Sequence, residues 1–182
     1  MSVTTPFAVS HPLPGGLTAP PAAAPGLKDA MRHLVGGVCV VTAGTGRDRT
    51  GATVTSAHSL SMEPETMLVS LNLSSSTLPV VRRFGHYGVN ILADHQQLVA
   101  DRFAGRGGAK GADRYLGADW TVLETGASLL EGALAIIDCE VERIIEHHSH
   151  ALVFGSVRAL RLGAGDPLVY SHGRYGAYRS QG

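Results

Sequence analysis

Apolar and polar positions along this chain fall into short runs whose period switches between strand-like and helical. Leu27, Met31, Leu34 and Val35 recur at helical spacing and predict a short amphipathic helix that ends at Gly36-Gly37. VCVVTA at 38–43 predicts a buried strand, and GTGRDR at 44–49 its turn. The alternating stretch TGATVTSAHSLSMEP at 50–64 predicts the return strand, followed by MLVSLNL at 67–73. At 77–85 TLPVVRRFG changes to a helical period, with Ser76 or Thr77 as N-cap and Pro79 in the first turn. YGVNILA at 87–93 predicts another strand, and DHQQLVADRFA at 94–104 a helix capped by Asp94. The glycine-rich GRGGAKGADRYLG at 105–117 reads as a mobile connection. Two long strands close the chain, ALAIIDCEVERIIE at 133–146 and ALVFGSVRALRL at 151–162, joined by an HHSH corner. Strands outnumber helices, and successive strands can pair antiparallel. The expected class is mainly β, a closed or nearly closed antiparallel barrel with helices outside, not a parallel βαβ sheet.

Composition sets bounds on this picture. A chain of 182 residues suits one domain, and 44% hydrophobic against 16% charged residues marks it as globular. Residues 1–26 hold six of the nine prolines and an alanine run, so they read as a mobile or surface-draped tail, with the domain at 27–182. A formal net charge of zero offers no basic field for phosphates, which argues against nucleic acid as a partner. No apolar run approaches the roughly 20 residues that span a bilayer, and no basic n-region with an apolar h-region opens the chain. Cys39 and Cys139 sit inside apolar runs without a CxxC pairing and read as buried thiols. The expected compartment is the cytoplasm.

Candidate chemistry is local. GTGRDRTG at 44–51 superficially resembles a dinucleotide fingerprint, but its glycine spacing is wrong and no helix follows; it is better read as a hairpin turn. GGAKG at 107–111 lacks the Ser or Thr of a P-loop. His147, His148 and His150 could converge at the hairpin corner, yet no carboxylate or thiolate completes a metal set in the local sequence, and a solvated turn with one functional histidine fits better. SSST at 74–77 joins four hydroxyls to a helix start, which makes either an anion seat or plain capping. The stretch from Gly51 to Ala57 combines small side chains with hydroxyls. It suits either a flat conjugated ligand lying against backbone, with donors aimed at its edge, or an exposed Thr-rich edge strand.

These pieces, in this order, resemble the short-chain flavin reductase family, the reductase components of two-component flavin-dependent monooxygenases. The likeness runs over about residues 28–178. It comprises GGVCVVTA, GATVTSAHSLSMEP, MLVSLNL with SSSTLPVV, YGVNIL, DRFAG with DRY, LEGALAIIDCEVE, the histidine before LVFGSV, and DPLVY with GRY. The resemblance implies an FMN-binding split β-barrel, antiparallel and of Greek-key type. It also implies that Thr53, Val54, Thr55, Ser56 and Ala57 line the isoalloxazine edge. Ser70, Leu71 and Asn72 would lie beside the ring and ribityl chain, and Ser75, Ser76 and Thr77 would take the phosphate. Arg102, Phe103 and Ala104 would close over the phosphate side. His150 and the Gly173–Arg174–Tyr175 piece would meet the nicotinamide. Two departures from the pattern stand out: His58 replaces an aromatic or apolar residue, and Glu65 replaces a proline.

The function so implied is hydride transfer from NADH or NADPH to FMN or FAD, with the reduced flavin passed to a separate monooxygenase. Flavin binding should then be weak, because a product must leave. The alternatives are a split barrel that retains its flavin or uses a deazaflavin, and a flavin or haem binding module without turnover. The family also implies a homodimer. Leu134, Ile136, Ile137, Val141, Ile144 and Ile145 place apolar groups on both faces of one strand, which a partner chain would cover. Arg158, Arg161 and Arg174 are the cations that could meet a 2′-phosphate.

Overall fold

The structure, a computed structural model, describes residues 24–178. All but the last three residues of the expected tail lie outside them. The elements are α1 (Leu27–Met31), β1 (Gly36–Gly37), β2 (Cys39–Ala43), β3 (Thr50–Val54), β4 (Ala57–Met62), β5 (Glu65–Asn72), α2 (Thr77–Phe84), β6 (His86–Ile91), α3 (Gln97–Phe103), β7 (Trp120–Thr121), β8 (Leu129–Leu130), β9 (Ala135–His147), β10 (His150–Leu162), β11 (Leu168–Ser171) and β12 (Arg174–Ala177). Seven strands form one antiparallel sheet in the order β3-β2-β6-β9-β10-β5-β4. The class is mainly β with flanking helices, as the strand runs predict.

The 50–64 stretch is not one strand. It breaks at Thr55 and Ser56 into β3, which pairs with β2, and β4, which pairs with β5. These two strands are the opposite edges of the seven-stranded sheet. Val54 and Ala57 are three Cα steps apart, about 11 Å at most at 3.80 Å per step. The sheet must therefore roll until the end of β3 nearly meets the start of β4. The break is held to β5 by a reciprocal pair: the Ser56 hydroxyl donates to the Ser70 carbonyl (2.9 Å), and the Ser70 N–H donates to the Ser56 carbonyl (3.2 Å).

Both faces of the sheet carry core. Cys39, Val41, Val69, Leu71, Tyr87, Val89, Cys139 and Val153 fill the inside, with Leu78 and Val81 of α2 packed on them. Alternate positions, Val38, Val40 and Ile136, join Phe103, Tyr115, Leu129 and Leu168 in a second cluster outside. That cluster is the second cover of the near half of β9, so apolar residues there do not by themselves call for a partner chain. The far half is less covered, with Ile145 36% exposed.

Other expectations are corrected. The 105–117 segment is ordered, with 3-10 turns at Arg106–Gly108 and Gly111–Tyr115. Tyr115 is buried and packs with Phe103 and Trp120, while its hydroxyl donates to the Thr50 carbonyl at 2.6 Å. An aromatic anchor outweighs the glycine content around it. The first helix stops at Met31, and Leu27, Met31, Leu34 and Val35 are exposed instead of facing a core. Asp94 does not cap its helix; Gln96 Oε1 accepts the Ala93 N–H (3.0 Å). Ser76 occupies the N-cap of α2, yet it is Ser75 Oγ that accepts the Leu78 N–H, at 3.3 Å. The helix ends as its sequence asks, at Gly85 in the left-handed region (φ 69°).

Gly155 sits on β10 where a Cβ would lie 2.6 Å from the Tyr87 hydroxyl oxygen and 2.7 Å from its ring. Tyr87 is fully buried and donates to the Met67 carbonyl (3.1 Å), so it has little room to shift. Gly155→Ala should cost about 1–3 kcal/mol by overpacking, read as a lower urea midpoint with an unchanged slope.

Candidate functional site

The site is built around β3. Thr53, Val54 and Thr55 line a cavity of about 220 Å³ together with Val38, Ala104, Arg106, Tyr170 and Tyr175. The β11–β12 hairpin brings the two tyrosines to 5.2 Å, edge to face. Arg106 lies 5.4 Å over the Tyr175 ring and is held by Asp101 at 2.7 Å. Burial, then the Asp101 charge, pushes the Tyr175 phenol above its ordinary range. Small side chains on one wall and aromatic rings on the other suit a flat ligand. On the side of α3, the Thr53 hydroxyl donates to the Ala100 carbonyl (2.6 Å) and fixes the free edge of β3 there.

The other end of β3 opens on a different environment. Thr50 lines a cavity of about 500 Å³ with Arg47, Asp48, Arg49, Ser74, Ser76, Val80, Lys110, Gly111 and Arg114. Four of these are cations. The one acid, Asp48, is paired with Arg83 at 3.1 Å. Arg49 is stacked 4.2 Å over Tyr115, and Arg114 is anchored on the carbonyls of Gly51 and Ala109. Arg49 Nε and Thr50 Oγ1 are buried without a protein partner, as is Thr77 Oγ1 at the start of α2. Buried donors left unpaired in a cationic cavity are what an anionic ligand would satisfy. Asn72 shapes the adjoining turn, its Oδ1 accepting the N–H (2.8 Å) and hydroxyl (2.7 Å) of Ser74. From Thr50 to Thr53 is three residues, about 10 Å of strand. One strand thus joins a stacking cavity to an anion cavity.

The remaining residues singled out in the sequence are placed unevenly. Ala57 follows the break at the start of β4, and Ser70 is tied to it through Ser56. Leu71 points into the core, leaving only its backbone for a ligand. Ala104 lines the stacking cavity, but its neighbours turn away: Phe103 is core, and the Arg102 guanidinium lies over Gly117. His150 opens β10 opposite Asn72, exposed, with Nδ1 2.9 Å from Ser149 Oγ. Arg174 and Tyr175 sit on β12, and none of the cavities described here is lined by both His150 and that hairpin. His147 and His148 meet edge to face with their rings 4.1 Å apart, and no group of three metal-type ligands gathers among the described residues.

Sequence reasoning missed Arg47, Arg49, Lys110, Arg114 and Arg106. Their signal was present as cations inside two segments dismissed as a turn and a loose connection. Both thiols, Cys39 and Cys139, are free and buried. Burial pushes Cys39 up to about 11, and burial with the nearby Asp138 charge pushes Cys139 up to about 12.

Comparison with known proteins places the chain by family and fold. Residues 31–179 match the model of the flavin reductase like domain. The chain is 39% identical over 153 residues to FMN reductase (NADH) RutF 2 of Methylorubrum extorquens, covering 81% of this chain and 86% of that protein. The NADH:FAD oxidoreductase of Streptomyces globisporus superposes with a TM-score of 0.78 at 25% identity, over 92% of this chain and 100% of that one. The styrene monooxygenase flavin reductase of Pseudomonas putida gives 0.75 at 26% identity, over 86% and 99%. A curled antiparallel sheet, a strand joining a stacking cavity to a cationic one, and a family match over nearly all the described residues place this chain in the flavin reductase like family.

Proposed function

We propose that this protein is an NADH-dependent flavin reductase that binds FMN or FAD, reduces it and releases it to a separate monooxygenase. The observation that carries the reading is β3, with its stacking wall at Thr53–Thr55 and its anion cavity at Thr50. When bound, the flavin supplies hydride acceptance from the nicotinamide; the protein's part is binding, orientation and charge. Thr53 to Ala57 offer backbone and hydroxyl groups to the ring edge, and Ser70, Leu71 and Asn72 flank it. Ser75, Ser76 and Thr77, with Arg49 and Lys110, receive the phosphate. Tyr175 and Arg174 present the second ring's side.

NADH is preferred over NADPH because two of the three arginines near the far strands are already neutralised. Arg158 faces Glu140 (3.6 Å) and Arg161 faces Glu131 (2.6 Å), whose carboxyl that hydrogen bond holds below its usual range. His150 is proposed as a nicotinamide-positioning residue. Because it and Tyr175 share no cavity within one chain, the reading includes a homodimer in which a second copy completes the site. The exposed Leu27, Leu34 and Val35 supply apolar surface for it.

Purified protein given FMN or FAD should oxidise NADH at 340 nm; no turnover with either flavin would overturn the reading. Arg49→Ala and Lys110→Ala should each weaken FMN about tenfold or more, from the loss of a charged hydrogen bond of about 1.5–3 kcal/mol. Riboflavin, which lacks the phosphate, should bind as before. His150→Ala should lower kcat/KM for NADH about tenfold to a hundredfold while FMN affinity stays within about threefold. Light scattering at micromolar concentration should report a dimer.

A further inference from the structure

Beside the stacking cavity, two histidines from distant parts of the sequence meet. His33 follows α1, and His172 turns the β11–β12 hairpin; His33 Nδ1 and His172 Nε2 are 3.2 Å apart, with the rings edge to face at 4.7 Å. The two segments are pinned by backbone: the His172 N–H donates to the Arg32 carbonyl (2.8 Å), and the Ser171 hydroxyl donates to the same carbonyl (3.2 Å). Having spent its hydrogen there, Ser171 Oγ is left to accept, and His172 Nδ1 stands 2.9 Å from it. That assigns the proton of His172 to Nδ1 and makes Nε2 the acceptor of the His33 Nδ1–H; when an ion binds, that proton moves to the other ring nitrogen of His33, so that both facing nitrogens offer lone pairs.

We propose that His33 and His172 form a two-imidazole site for a divalent transition-metal ion. Two nitrogens bound to one zinc at about 2.0–2.1 Å and the tetrahedral angle lie about 3.3 Å apart, the separation already present. A ligating histidine is ordinarily oriented by a hydrogen bond from its other ring nitrogen, which Ser171 provides. His172 holds a positive φ of 50°, so the hairpin presents this ring from a backbone that few residues adopt. Among the described residues no third histidine, cysteine or carboxylate joins them, so water fills the other positions. Lys28 and Arg32 line the same cavity of about 420 Å³. Imidazole ligands without a carboxylate select zinc, nickel or copper and reject magnesium and calcium. The ion would clamp the segment after α1 onto the hairpin that carries Arg174 and Tyr175, at the rim of a cavity that shares Thr55 and Tyr170 with the stacking cavity.

Calorimetric titration of the full chain with ZnCl2 tests this. Wild type should show one site that weakens tenfold or more in His33→Gln and in His172→Asn, the latter chosen because asparagine tolerates positive φ. The double variant should show no heat from that site, since both rings serve one ion. His147→Ala should leave that site intact, MgCl2 should give no heat at it, and Zn2+ should raise the melting temperature of wild type but of neither single variant. Isotherms unchanged in both single variants, or a site lost instead with His147→Ala, would overturn the proposal and leave the 3.2 Å contact as a hydrogen bond between rings.

Discussion

The whole structure hangs on a two-residue break. Thr55 and Ser56 connect strands that lie at opposite edges of one sheet, so the chain has no way to place both except by rolling the sheet up. Rolling brings the end of β3 to the start of β4 with no ladder between the two strands, and an unpaired edge demands cover. Here α3 takes the edge of β3 through the Thr53 hydroxyl, and the Ser56–Ser70 pair holds the start of β4 on β5. In the proposed reading, the planar flavin lies against the backbone beside Thr53–Thr55, where the cavity wall is made of small side chains.

Once the sheet is rolled, β3 acquires two distinct ends. At Thr50 it meets the cations of the 47–49 turn and of the 110–114 segment, and at Thr53–Thr55 it meets the tyrosine hairpin. Arg49 is held by stacking on Tyr115 and Arg114 by its carbonyl anchors, so the charge of these two is preorganised at a fixed place. Nothing in this arrangement is a nucleophile or a general base, and the buried thiols are held protonated. For hydride transfer between two bound rings that is sufficient, because position and field are what a protein can add.

How much of this was legible in the chain differs by residue. VCVVTA was readable because a strand covered on both sides needs unbroken apolar residues, and the structure gives it two cores. α2 was readable from Pro79 and Gly85, which act within one turn of themselves. The 105–117 segment was misread because one buried tyrosine outweighs five glycines, and burial is a property of distant partners. The α1 segment was misread for the opposite reason: its periodic apolar residues find no core in this chain.

The sequence by itself determined the order and nature of the strands, the α2 start with its hydroxyls, and membership of a recognisable pattern, since these rest on period, turn chemistry and short-range capping. Only the tertiary structure decided that 50–64 splits, that Phe103 and Arg102 turn away from the cavity, and that Arg47, Arg49, Lys110 and Arg114 converge. It also decided that His33 meets His172 across 139 positions. Those facts depend on which surfaces face one another after the sheet closes, and no local periodicity encodes a distance through space.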